Sequence, residues 1–327
     1  MTSLTKIGKS QLTIPASILL LGIYLLADFL LSVPSDTLNI VQPVYGLVAN
    51  FISGLPFIWN STVLAVITLL IAFVLLQIID MFSLIREKST LPFLFFLVIS
   101  LQYIGSNISL SVVFSVLFMS LSYLFLLHSY QLEKSQRAIF NYALFYSIAT
   151  LFCIDLLWLL PLLFIALFFM RIFTVKNVAA ILFGISAPYI IASFPYFIMD
   201  QSSRMWEIFS SLTHFSFPDF SVWTYAEMAH SLLTLTLVLI TAASLKFGTT
   251  QDKVRVRSSY DFLLLTYFVL LAIAVFKGNA LYPLHWSADF LAAYFIANYF
   301  TIKRGRLINY LFFIALLLYV LTGLLVL

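Results

Sequence analysis

The sequence predicts an all-α protein: a polytopic transmembrane helical bundle of about eleven spans, N-terminus cytoplasmic and C-terminus outside. Three observations predict it. First, charge is scarce. The 327 residues include only 17 Lys and Arg and 13 Asp and Glu, while 63% are apolar. A soluble chain is about 25% charged, so a water-soluble domain of this length could not cover its surface. A soluble enzyme, a nucleic-acid binder and a disordered protein are thereby excluded. Second, the apolar residues form long continuous runs, without the two-residue alternation of a membrane barrel. Backbone groups in lipid must bond internally, which favours helices of about 20 residues. Third, the basic residues sort to one side once the runs alternate across the membrane.

The first run is Ile14 to Val33. Lys6 and Lys9 precede it like the basic end of a signal peptide, but it is long for one and no small-x-small cleavage site follows. It reads as an uncleaved anchor. Further runs occupy about 61–82, 91–106, 108–130, 138–154, 156–173, 177–199, 228–246, 261–277, 281–300 and 308–326. The runs 91–106 and 138–154 are short, so a merged pair or a re-entrant helix changes the count by one or two. Pro161, Pro188 and Pro195 fall inside runs, where proline kinks a helix. The single cysteine, Cys153, lies in an apolar run, can form no internal disulfide and reads as packing.

With the N-terminus inside and the runs alternating, every basic residue falls on the inner side except Arg204 and Lys277. The outer segments are net acidic, with Asp36, Asp155, Asp200, Glu207, Asp219 and Glu227. No soluble domain remains, so residues 1–327 read as one integral membrane domain, with long outer loops at 34–60 and 199–227. Val44 to Trp59 is apolar enough to lie on the membrane surface. The second loop carries Trp206, Trp223, Tyr225 and His214 among acids, in the manner of an interfacial belt.

Few polar groups remain, and ionisable residues inside spans are costly. Asp28 lies about one turn short of the outer end of the first span. It either snorkels to the interface or acts as a general base on a membrane-bound substrate. Asp36, beyond Ser32-Val-Pro-Ser35, is a turn or cap residue on the plainer reading. His285 and Asp289 are four apart in the outer half of the tenth span and share a helix face beside Trp286. Facing a cavity or groove, the pair would bind substrate; their plainer role is a mutual hydrogen bond that holds the helix in place. Glu227 and His230 are three apart at the start of the eighth span. If the two carboxylate–imidazole pairs converge, they form a nitrogen–oxygen set of the kind that holds a divalent metal. Arg204 either clamps a phosphate or pairs with Glu207. Lys277 either snorkels or meets a phosphate.

The central stretch runs Arg137-Ala-Ile-Phe-Asn-Tyr-Ala-Leu-Phe-Tyr-Ser-Ile-Ala-Thr-Leu-Phe-Cys153, then Leu156 to Met170, Arg171, Lys176, and Gly184 to Pro188-Tyr189. With Tyr282-Pro283 through Asn298-Tyr299-Phe300 to Lys303-Arg304, it covers about half the chain. It resembles a family of polytopic inner-membrane proteins of Bacteroidota, which brings no established activity with it. More remotely, the chain is similar to the C-type membrane glycosyltransferases, which use sugars on polyprenyl phosphate. The likeness lies in an internal N-terminus, acids around the end of span one, a long first outer loop, and short spans separated by basic inner turns. This resemblance implies that Asp28 or Asp36 activates an acceptor and that Arg204 or Lys277 meets the donor phosphate. The sequence departs from it in the second outer turn, Gly105-Ser106-Asn107-Ile108-Ser109, which lacks the acid many of those enzymes carry.

Three functions follow. One is a glycosyltransferase-like enzyme acting on a lipid-linked sugar at the outer face. The second is a non-catalytic membrane subunit that scaffolds an envelope or secretion complex through a protein partner. The third is a transporter, which the shortage of charge at the midplane ranks last.

Overall fold

The computed structural model describes residues 13–31, 57–105, 109–200, 202–213, 225–248, 253–276, 281–303 and 305–325. Among them every regular element is helical. The long α-helices are α1 Thr13–Leu31, α2 Phe57–Phe82, α3 Leu91–Gly105, α4 Leu110–His128 and α5 Gln136–Phe152. A 3-10 turn, Ile154–Leu159, leads into α6 Leu160–Phe169 and then α7 Val175–Ile198. After the short α8 Ser202–Ser210 come α9 Tyr225–Gly248, α10 Val254–Phe276, α11 Leu281–Ile302 and α12 Arg306–Leu324.

A helix stands at each apolar run. Among the described residues, six helices are long and apolar enough to cross a membrane, α2, α4, α7, α9, α10 and α12, which makes this a multi-pass membrane protein with lipid-contacting helices. Ser109 accepts a hydrogen bond from the Ser111 amide and caps α4, and Thr174 does the same for the Asn177 amide of α7. Ser83, Gln131, Arg171 and Asp200 close the ends of α2, α4, α6 and α7 in the left-handed conformation common past a helix terminus. Pro161 sits in the first turn of α6, where its missing N–H leaves no helical bond unmade, so no kink is needed there. Pro188 and Pro195 lie within α7, which continues through both. The basic segment before the ninth run is itself helical, so Arg255 and Arg257 belong to α10.

Contacts at the helix ends show how the chain is folded back on itself. The hydroxyls of Thr13 and Thr90 bond, joining the starts of α1 and α3. Asn177 donates to the Ser135 hydroxyl at 2.8 Å and to the Ile172 carbonyl, joining the starts of α5 and α7. The Arg255 guanidinium donates to the Leu127 carbonyl at 2.8 Å and lies over the rings of Phe82 and Tyr130. Ser258 donates to the Phe169 carbonyl. The start of α10 thus gathers the ends of α2, α4 and α6. Successive long helices therefore run antiparallel. At the opposite end α8 lays Ile208 against Leu151, Ile154 and Tyr196, sealing the α5–α6–α7 group.

The centre is formed by α3 and α11. The α3 helix packs against α1, α2, α11 and α12, and α11 also packs against α4, α9 and α10. From Leu91 to Tyr103 all residues but Leu94 are buried, and so is nearly all of Pro283 to Phe300. A helix enclosed on all sides by protein need not match the length or apolarity of the lipid. This explains why α3 is short and why α11 tolerates Asp289.

Candidate functional site

The polar residues of five helices meet at the end of the bundle opposite the Arg255 cluster. Tyr103, near the end of α3, donates its hydroxyl proton to Oδ2 of Asp289 on α11. The same oxygen lies 3.8 Å from Nε2 of His230 on α9. The other ring nitrogen of His230, Nδ1, faces the Thr322 hydroxyl of α12 at 3.4 Å. Tyr24 of α1 donates to the carbonyl of Gly323, the next residue, at 2.7 Å. His230 is 1% exposed and Asp289 5%, so both meet protein and not bulk solvent.

The framework around them is aromatic. Tyr103 stacks on Trp286 with centroids 4.8 Å apart, and the Trp286 indole N–H donates to Ser100 at 3.1 Å. Tyr319 meets the His230 ring edge-on at 5.1 Å, and its hydroxyl donates to Thr234. Gly323 lets α12 reach α3: a Cβ there would lie 3.0 Å from Cβ of Leu101. Ring stacking and a backbone approach thus hold the carboxylate and imidazole in place from several sides.

The sequence offered two intrahelical pairs, His285 with Asp289 and Glu227 with His230. The structure takes one member of each and joins them across helices. His285 is half-buried and within electrostatic reach of both Asp289 and His230. Glu227 is half-buried, one turn before His230 on α9. Among the described residues, no group of three or more His, Cys, Asp and Glu is arranged to hold a metal ion. Asp28 is part of α1, one turn beyond Tyr24, but its side chain lies outside the described residues. So does that of Arg204, which is part of α8. Asp36 and Lys277 lie wholly outside the described residues. Tyr103 and Thr322 escape sequence reasoning. The signal for Tyr103 was its place beside Gln102 in an otherwise apolar short run. Thr322 gave none, since threonine is common in spans.

Comparison with protein-family models, with curated proteins and with solved structures found no match.

Proposed function

We propose that this chain is an inner-membrane protein of about eleven crossings, N-terminus cytoplasmic and C-terminus outside, forming one integral domain over 1–327. We read it as a glycosyltransferase-like enzyme acting on a lipid-linked sugar at the outer face, related to the Bacteroidota inner-membrane family it resembles. Asp28 or Asp36 serves as the base, and Arg204 and Lys277 meet the donor phosphate. The buried Tyr103–Asp289–His230 set and neighbouring His285 position the outer ends of the helices around them.

One observation supports this most directly. The polar side chains of α1, α3, α9, α11 and α12 converge at a single end of the bundle. On α1 the tie is Tyr24, one turn from Asp28. The opposite end carries Arg255 and the basic turns, as the positive-inside rule requires of the cytoplasmic side. The antiparallel run of successive helices also agrees with alternate crossings.

The test is the surface-glycan profile of cells that carry Asp28→Asn or Asp36→Asn as their only copy. Loss of a glycan in either variant, with the protein still present in the membrane, is expected. A normal profile in both removes the catalytic assignment.

The second reading, a non-catalytic scaffold subunit, is favoured by the closure of the network. His230 and Asp289 are buried too deeply to meet a bulky substrate themselves. On that reading the acid variants leave glycans unchanged, while Asp289→Ala weakens recovery of a co-purifying membrane partner.

A further inference from the structure

His230 presents a proton-counting problem. Its Nδ1 faces Oγ1 of Thr322 at 3.4 Å, and that hydroxyl spends its one proton on the Tyr319 carbonyl at 3.0 Å. With the hydroxyl so turned, Thr322 is an acceptor toward Nδ1. Its Nε2 faces Oδ2 of Asp289 at 3.8 Å, an oxygen already accepting from Tyr103. Nε2 has no hydrogen-bond partner, although it is fully buried. A neutral imidazole has one N–H and one bare lone pair. With the Thr322 hydroxyl turned to Tyr319, either neutral tautomer sets a nitrogen lone pair against an oxygen lone pair where little water reaches. Only a ring protonated on both nitrogens donates in both directions.

We propose that His230 is held as an imidazolium paired with Asp289, so that this end of the bundle contains a buried binding site for one exchangeable proton. Imidazole is the side chain whose charge changes near neutral pH, and an intramembrane carboxylate needs such a partner. The span from Nε2 to Oδ2 closes by a small shift or through one water. With the proton bound, the pair ties α9 to α11, Thr322 ties α9 to α12, and Tyr103 ties α3 to the same carboxylate. Without it, the neutral ring keeps a single N–H, and α9 loses one of its two donors. Among the described residues, the other titratable groups around the pair include Glu227 on α9, His285 on α11, Tyr103 on α3, Tyr267 on α10 and Tyr319 on α12. Asp28 lies on α1 one turn beyond Tyr24. The site stands whether or not the outer face carries a transferase.

The test is nitrogen NMR of histidine-labelled full-length protein in lipid nanodiscs, with resonances assigned by single substitution of the four histidines. The signal lost in His230→Gln is expected to show both ring nitrogens protonated near about pH 6 and one released as pH rises. A single-proton tautomer across the whole range overturns the proposal. The second measurement is thermal stability against pH. A proton bound in the folded site and absent from the unfolded chain makes stability fall as pH rises, by about tenfold in the folding equilibrium per pH unit. That component is expected to survive His285→Gln and to vanish in His230→Gln and Asp289→Asn, the latter because an amide donates to Nε2 without a captured proton. An unchanged slope in both of those variants also overturns the proposal. If Asp289→Asn does not fold, the wild-type spectrum decides.

Discussion

Where α7 meets α5, the two backbones touch. A Cβ on Gly184 would lie 2.7 Å from Cβ of Ala143 and 2.8 Å from the Phe140 carbonyl. Ser147 donates to the Ile185 carbonyl, and Thr150 bonds the Tyr189 hydroxyl, along the same seam. Where α11 meets α3, rings and polar groups make the contact: Trp286 on Tyr103, the indole on Ser100, the phenol on Asp289. Lipid offers no hydrophobic drive between helices, so association rests on close backbone approach or on polar bonds. The α5–α7 seam combines both, while the α3–α11 seam rests on rings and polar bonds. The consequences for exposure differ as well. Only 17% of the most apolar stretch of α7 is buried inside the protein, and Leu182, Phe183, Ile190, Ile191 and Phe194 face outward. The less apolar α11 is enclosed.

The contrast can be broken at either seam. Asp289→Ala should do the most damage. It removes the acceptor of Tyr103 and the counter-charge of His230, and breaking a buried pair costs about 3–5 kcal/mol. Thermal melts by circular dichroism in detergent should show a much lower midpoint or no folded protein. Gly184→Ala comes next, because backbone stands where the new methyl would go. Overpacking costs about 1–3 kcal/mol, and Gly184→Leu should prevent α7 from seating at all. A melt as stable as wild type for Gly184→Ala would mean that the α5–α7 seam yields more readily than α3–α11. Trp286→Phe keeps a ring on Tyr103 but loses the bond to Ser100. A net loss of about 1 kcal/mol is expected in the same assay. Phe183→Ala sharpens the contrast from the other side. This side chain is 68% exposed one residue from Gly184, and its loss should move stability by less than about 0.5 kcal/mol.

Much of the fold was readable in the chain because lipid forces each segment to satisfy its own backbone. Every run, from 14–33 to 308–326, carries a helix in the structure. Boundaries shifted where polar residues continue a helix beyond the apolar stretch, as at Val254 to Tyr260. The candidate site was readable only in part. Spacing places His285 with Asp289, and Glu227 with His230, on single faces. It says nothing about which helices touch. Spacing pairs Asp289 with a residue four positions away, whereas its phenol donor lies 186 residues back along the chain.

What the sequence determined by itself was local: a helical, multi-pass chain and the approximate place of each helix. Those properties follow from each segment's own contact with lipid or water. Only the tertiary structure decided that α3 and α11 form the centre, that Gly184 and Gly323 are points of close approach, and that Tyr103, His230 and Asp289 meet. These depend on helix pairings between distant segments, and in lipid such pairings rest on shape and a few hydrogen bonds that leave no periodic trace in the sequence.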